Sequence, residues 1–327
     1  MWYPESQPIF DAFDTFRPEI FVGETYTLDR ATINILKEYP ETLVSLIASD
    51  NGTESDNYDP KEFHVLIARE DEIKLVEKLK EETGKPEFLQ IHYSDKSILQ
   101  THNHWQKLGL RTISHMCCGD PFEFLGGEVK EEYKCDLSMC GGFWEYKGRN
   151  LNKYITPLCH PIGKYHIKIF GSNWPVVQFH GALGHGVEKD LFVSSKICLN
   201  TSEPHSTDRR LCGFDANERI FKVTMAGGFP LDGGYVKTIH EDIFTNGEID
   251  YAETTKEYIE KVDYYLANPE IRQQKAKAAH ETCVKSHTGF DRMRHWFGAF
   301  GLEKEAVAMR ESKIKYLTGK GYKIEQV

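Results

Sequence analysis

Three charged side chains open the stretch from Asn217 to Asp232. Glu218, Arg219 and Lys222 fall within one and a half helical turns. Ile220, Phe221, Val223 and Met225, with Thr224, give that helix a packing face, and Gly227 and Gly228 close it before Phe229 and a short strand. A guanidinium or ammonium suits phosphate, a carboxylate suits hydroxyls, and glycine lets a ligand reach bare backbone N–H groups. That set fits a nucleotide diphosphate-sugar. The same residues also fit an ordinary buried helix with a glycine C-cap, and glycine punctuation is common enough that spacing leaves both readings open.

A second constellation lies upstream. Cys135–Cys140 reads as a strand, followed by Gly141 and Gly142, a loop through Lys147-Gly148-Arg149-Asn150, and a helix over Leu151–Leu158. A strand, a glycine pair and a cation at a helix start form a phosphate-binding arrangement, because the helix N-terminus and Lys147 both favour an anion. The pattern is neither G-x-G-x-x-G nor a Walker A loop. The alternative is that Lys147 and Arg219 are both solvated surface cations. His166–Phe170 and Ser195–Leu199 read as further strands, with Pro175–Phe179 a short extended segment. His180-Gly181, Asn200-Thr201-Ser202 and Asp232-Gly233-Gly234 would continue the rim of such a unit. His180 is either a donor contact or proton carrier, since histidine titrates near neutrality, or a satisfied loop residue. Tyr258, Ile259, Val262, Tyr265 and Leu266 form a core-facing stripe on a helix over Thr255–Leu266.

Taken together, these segments resemble the nucleotide-sugar half of GT-B glycosyltransferases over about residues 135–300, in particular the spore-maturation CgeB-like group. That group shows an Arg-x-Phe-(Glu)-x-x-Ala-x-Gly-Gly pattern, then a Leu-x-x-Pro-Glu-x-Arg turn and a His-Thr-x-x-x-Arg helix. Here the latter two are Leu266–Arg272 and His287–Arg292. Lys222 departs from the pattern, standing where the group often has Glu. The resemblance implies an α/β fold of two Rossmann-like domains facing across a cleft. Its N-terminal domain would be reduced, because the chain enters a helix over Phe10–Phe16 where a strand and glycine-rich loop are usual. The resemblance also implies that Lys147 and Arg219 share a donor diphosphate with the Gly227/Gly228 backbone, and that Glu218 holds ribose or sugar hydroxyls. The donor set it implies is Gly141, Gly142, Lys147, His180, Asn217, Glu218, Arg219, Lys222, Gly227, Gly228 and Phe229, with Arg219, Lys147 and Glu218 in the catalytic roles.

The N-terminal part alternates strands and helices. Glu19–Gly23, Leu43–Ala48, Phe63–Ala68 and Phe88–His92 read as strands. Leu28–Tyr39 reads as a helix with Ala31, Ile35 and Leu36 on its apolar side, and Asp71 as the N-cap of a helix to Glu82 that Gly84 stops. This order implies right-handed crossovers and a parallel sheet, in which ligands sit beyond the carboxyl ends of strands. The acceptor-side candidates are accordingly Glu24, Tyr26, Asp50, Asn51 and His92, with Asp232 from the later rim. Turn chemistry explains Asp50-Asn51-Gly52 equally well. His102 and His104 stand two apart without a ligand set around them, so no metal site is expected.

The expected layout is an acceptor-side domain over 1–130, a nucleotide-sugar domain over 131–290, and C-terminal helices over 291–327 that cross back. The charged, glycine-containing Gly126–Lys134 would be the linker. With 327 residues, 40% hydrophobic and 12% aromatic, the chain can fill a sizeable core. No apolar run approaches the roughly 20 residues that span a bilayer, and the start has no signal-peptide pattern. Eight cysteines without a C-x-x-C pair read as reduced thiols and place the chain in the cytoplasm, a host's if it is viral. A formal charge of −10 argues against broad binding to phosphate polymers.

The reading that follows is transfer of a sugar from a nucleotide diphosphate-sugar, a UDP- or GDP-sugar being favoured, to an acceptor hydroxyl, with no tightly bound cofactor. Retention of configuration and independence of metal come with the resemblance. The acceptor is a glycan, a small molecule or a modified nucleic-acid base. Two rivals keep the fold: a viral transferase acting on hydroxymethyl-pyrimidine bases, and a non-catalytic nucleotide-sugar-binding protein.

Overall fold

Two parallel sheets carry the strands of the computed structural model, which describes residues 7–48, 65–96, 98, 103–143, 145–184, 186–201 and 216–323. The chain divides into two compact units, Met1–Met116 with Trp296–Glu303, and Cys117–His295 with Lys304–Val327.

The first unit runs α1 (Gln7–Phe16), β1 (Ile20–Glu24), α2 (Arg30–Glu38), β2 (Leu43–Ile47), α3 (Val65–Thr83), β3 (Phe88–Ile91), α4 (Asn103–Lys107) and β4 (Thr112–Ser114). The strands pair in chain order, β1-β2-β3-β4, all parallel. Val44, Leu46, Phe88 and Leu89 are wholly buried, as strands covered on both faces require. Asp29 begins α2 as its N-cap, its carboxylate accepting from the Thr32 N–H at 2.7 Å. Gly84 ends α3 in the left-handed conformation (φ 74°), its N–H donating to the Lys80 carbonyl at 2.8 Å. Two expectations fail here. From Val65 onward the expected strand over Phe63–Ala68 is the first part of α3, and Asp71 lies inside that helix rather than capping it. Short apolar runs do not separate strand from buried helix by period. Phe63 itself lies outside the described residues.

The second unit contains α5 (Pro121–Phe124), β5 (Cys135–Cys140), α6 (Glu145–Asn150), β6 (Ile167–Phe170), α7 (Glu188–Ser194), β7 (Ser195–Thr201), α8 (Glu218–Ala226), β8 (Pro230–Gly233), β9 (Asp250–Ala252), α9 (Thr255–Ala267), α10 (Pro269–Ser286), α11 (Gly289–Ala299) and α12 (Glu303–Gly319). The division into units falls within α11. The strand order is β6-β5-β7-β8-β9, all parallel. After β5 the chain adds β6 on one side, then returns to add β7 on the other. The crossovers therefore reverse between β5 and β7, the point where open α/β sheets form their ligand crevice.

Leu137, Ile169, Ile197 and Leu231 bury completely in this sheet against Ile155, Tyr258 and Val262. Each such aliphatic side chain contributes about 1.5–3 kcal/mol by leaving water. The stripe foreseen on α9 is buried through Tyr258, Val262 and Tyr265. Helix begins earlier than expected after β5: α6 starts at Glu145 and continues through wider turns at Leu151–Ile155 and a tighter one at Thr156–Cys159. Lys147 therefore lies in a first helical turn rather than in a loop.

The segment Gly126–Lys134, expected as the linker, packs on α7. The Glu128 N–H donates to Asp190 at 2.8 Å, the Lys130 N–H donates to the Ser194 hydroxyl at 2.9 Å, and the Lys130 ammonium stands 2.5 Å from Asp190. A Cβ on Gly127 would meet the Lys189 carbonyl at 2.6 Å. The contact division accordingly falls at Met116/Cys117 rather than near residue 130. Among the described residues no helix is long and apolar enough to cross a membrane.

Candidate active site

Arg219 stands at the crossover reversal of the second unit. Asn217 starts α8 there, its side chain accepting from the Ile220 N–H at 3.3 Å while its amide donates to the Thr201 carbonyl at 3.4 Å. With the helix start fixed beyond β7, the Arg219 guanidinium spans the gap between strands. Its Nε donates to the Cys140 carbonyl at 2.5 Å, at the end of β5, and its Nη1 donates to Asn200 Oδ1 at 2.8 Å, near the end of β7. Asn200 is 0% exposed and passes the contact on, its Nδ2 donating to Asp232 Oδ1 on β8. A guanidinium on one side and a carboxylate on the other determine which way this amide faces. The Asp232 Oδ2 is 3.3 Å from His240 Nε2, within ion-pair distance but without hydrogen-bond alignment.

Gly141 faces this guanidinium. Its φ of 149° favours glycine, and a Cβ built there would lie 2.6 Å from Arg219 Nη2 and 3.4 Å from Lys147 Nζ. Behind it, a Cβ on Gly171 (φ 137°) would collide with the Gly141 carbonyl oxygen at 2.1 Å. The Trp174 indole N–H donates to the same carbonyl at 2.7 Å. Two main-chain turns and two cations thus converge where no side chain fits. An anion with several oxygens suits such a place, because backbone N–H groups and fixed cations are organised before it arrives.

The structure brings together Gly141, Gly142, Lys147, Asn217, Arg219 and Asp232 at the carboxyl ends of β5, β7 and β8. Asp232, expected on the acceptor side, lies in the same unit as Arg219 and two hydrogen bonds away from it. Gly227, Gly228 and Phe229 are not brought there. Gly227 is the left-handed C-cap of α8 (φ 92°), taking the Thr224 and Val223 carbonyls. A Cβ on Gly228 would meet the Phe192 carbonyl at 2.9 Å and Cys198 Sγ at 3.2 Å. Phe229 is buried, and its carbonyl accepts from the Cys198 N–H at 2.8 Å. These three precede β8 and lie at its amino end, one length of α8 from Arg219. Their expected donor contact is corrected to helix termination and packing.

Glu218 and Lys222 pair with each other at 2.6 Å. Lys222 also stands 3.9 Å from Glu188 and 5.3 Å from the Phe124 ring. Burial opposes its charge, but the two carboxylates hold the ammonium above its usual range. Lys222 is thus engaged with side chains of its own unit. His180 stacks on Phe170 beside β6 at the sheet edge, with its imidazole lowered by partial burial and then by Lys168 and His166. Burial, reinforced by Glu188, pushes the Cys140 thiol up to about 11, so it stays protonated and is no nucleophile.

The two downstream motifs are structural. Arg272 is buried and donates to the Tyr265 carbonyl across the α9–α10 turn. Arg292 donates to the Cys117 carbonyl and to His287 Nδ1, both at 3.1 Å, which fixes His287 as an acceptor at Nδ1.

In the first unit, Glu24 ends β1, Tyr26 follows it with 60% of its surface exposed, and His92 follows β3. The His92 ring meets His115, after β4, edge-on at 5.5 Å. Asp50, Asn51 and His102 lie outside the described residues. Sequence reasoning missed three residues: His115, His240 and the bridging role of Asn200. The strand-end rule marks His115 and Asn200, since each lies at or just after a strand's carboxyl end. His240 carries no such signal, because it sits inside the wide turns of Thr238–Ile243.

Residues 149–298 match the family model described as glycosyl transferase-like. Among solved structures, sucrose-phosphate synthase from Thermosynechococcus elongatus superposes with a TM-score of 0.55 at 10% identity, covering 96% of this chain and 79% of that one. HepE from Anabaena, solved in complex with UDP, gives 0.60 at 8% identity, covering 97% and 82%. A glycosyltransferase from Rickettsia africae gives 0.60 at 9%, covering 92% and 80%. At such identities the structural likeness speaks to the fold. No curated protein sequence matches the chain. A glycosyl transferase-like segment thus lies within an α/β two-unit fold that these enzymes share, the GT-B fold.

Proposed function

We propose that the chain transfers a sugar from a nucleotide diphosphate-sugar to an acceptor hydroxyl, with the diphosphate held at the carboxyl ends of β5 and β7. The observation that carries the reading is the crowding of Gly141: Arg219 and Lys147 both reach the space its missing side chain leaves. When the bond between the sugar's anomeric carbon and the diphosphate breaks, the diphosphate keeps the electron pair. Two fixed cations and the Gly142 backbone N–H would stabilise that developing charge without reorganising, the Gly141 N–H being bonded to the Phe170 carbonyl at 2.9 Å. UDP is the favoured nucleotide, since HepE, which shares the fold, was solved with UDP. GDP remains the alternative. Retention of configuration and a metal-independent leaving-group step belong to the proposal, with the donor phosphate taking the acceptor's proton. So does membership of the CgeB-like group. Glu24, Tyr26 and His92 are the proposed acceptor-side residues, and the cytoplasm the proposed compartment.

A thermal-shift screen against UDP, GDP, ADP, CDP and their sugars tests this. A ligand at 100 times its Kd stabilises by about 2.7 kcal/mol, a readily measured shift. The expected result is a shift for one nucleotide that is lost in Lys147→Ala and Arg219→Ala. A shift that survives both substitutions sinks the reading.

A further inference from the structure

In the second unit, away from Arg219, a cavity of about 820 Å³ opens between α10, α11, α12 and the turn at Gly321–Lys323. That volume is ligand-sized, since small-molecule sites run from roughly 300 to 1,000 Å³. Its charge is opposite to that of the chain. Six Lys and Arg side chains line it against two carboxylates, a balance of +4 in a protein whose formal charge is −10.

Part of that charge is neutralised locally. Lys313 is buried and held by Asp291 at 2.6 Å, and Lys277 stands 3.8 Å from Glu281. Among the described residues, Lys285, Arg294 and Lys323 have no carboxylate within ion-pair distance. Burial first, and then the Arg294 charge, hold the Lys313 ammonium below its usual range against the pull of Asp291. Like charges gathered in a partly enclosed space raise the local concentration of anions.

The floor has a different character. Val284, Phe290, Ile314 and Tyr322 supply apolar and aromatic surface. The Tyr322 ring is held in place: His280 Nδ1 donates to the Thr224 carbonyl at 2.9 Å, so its Nε2 accepts from the Tyr322 hydroxyl at 2.9 Å. Cations above a fixed aromatic floor suit a ligand with several negative oxygens and a flat or apolar body.

We propose that this cavity binds a small phosphorylated molecule at a site separate from the Arg219 cluster. The proposal does not depend on the donor-site reading. The test is isothermal titration of inorganic tripolyphosphate into the full chain at low salt, in the Lys147→Ala/Arg219→Ala background so that the first site does not contribute. One equivalent should bind. Lys285→Ala with Arg294→Ala should weaken it about 10- to 100-fold, the range for losing hydrogen bonds to charged groups, and Arg294→Lys should restore part of the loss. If the background variant does not melt cooperatively, the same titration is made on the wild-type chain, where the Lys285/Arg294 substitutions should still remove one equivalent. Absence of uptake, or uptake indifferent to Lys285 and Arg294, overturns the proposal. So does binding of a single-stranded oligonucleotide through these residues with no uptake of tripolyphosphate, which would assign the surface to a polymer.

Discussion

The two units use the same parts and differ in one topological respect. The first adds its strands in chain order, β1-β2-β3-β4; the second reverses direction after β6, giving β6-β5-β7-β8-β9. Sequential order keeps neighbouring strand ends joined by crossovers of one sense. The reversal parts the chain between β5 and β7, and a guanidinium fills the gap by binding one strand end with Nε and the other with Nη1. The first unit's rim carries exposed Tyr26 and the His92–His115 ring pair. The difference teaches that the anion site comes from topology as much as from residue type.

The sharpest way to break the comparison is to fill the glycine contact that shapes the crevice. Gly171→Ala should cost about 3 kcal/mol or more, because its Cβ would strike the Gly141 backbone at 2.1 Å in a conformation that disfavours side chains. Chemical denaturation measures this, and a near-neutral result would mean that the turn at Gly141 is soft.

Next in size is a pH effect that belongs to the second unit. Burial, reinforced by Arg292, pushes the His287 imidazole down to about 4. A base with a folded value below its unfolded one binds fewer protons when folded. Stability is therefore full above about pH 6.5 and falls between about 6.5 and 4, by about 3 kcal/mol if no other group compensates. Urea titrations should show His287→Asn flattening that part of the profile. An unchanged profile refutes the assignment.

Arg219→Ala should weaken the proposed nucleotide diphosphate about 10- to 100-fold, the worth of lost charge-assisted hydrogen bonds, as read by calorimetry. Gly227→Ala should cost only about 1 kcal/mol, for a left-handed C-cap with open space around it, and leave nucleotide affinity unchanged. A large loss of affinity would return the Gly227–Gly228 pair to the site. The smallest effect belongs to the first unit: His92→Ala should leave donor affinity within about twofold, under 0.5 kcal/mol, whatever it does to acceptor use.

Much of this was legible in the residues. The alternation of apolar runs and helix signals gave the parallel sheets, and Cys135–Cys140 followed by Gly141-Gly142 placed a cation-flanked turn at a strand's carboxyl end. The misassignment of Gly227 and Gly228 has a physical cause. A glycine pair after a helix and one after a strand look alike in sequence, yet they lie at opposite edges of a parallel sheet. Applied to residues that precede β8, the strand-end rule puts them at the amino edge. The link from Arg219 through Asn200 to Asp232 was not legible, because it depends on β7 and β8 being neighbours in register, Asn200 beside Asp232. The packing of Gly126–Lys134 on α7 was hidden for a similar reason. Its anchors, Asp190 and Ser194, are more than sixty residues further along the chain.

The most direct measurement is a crystal structure of the chain with UDP. The account predicts the diphosphate against the Gly141–Gly142 backbone, within hydrogen-bond distance of Lys147 and Arg219 at the carboxyl ends of β5 and β7. A nucleotide seated instead at Gly227–Gly228, at the amino end of β8, would contradict it.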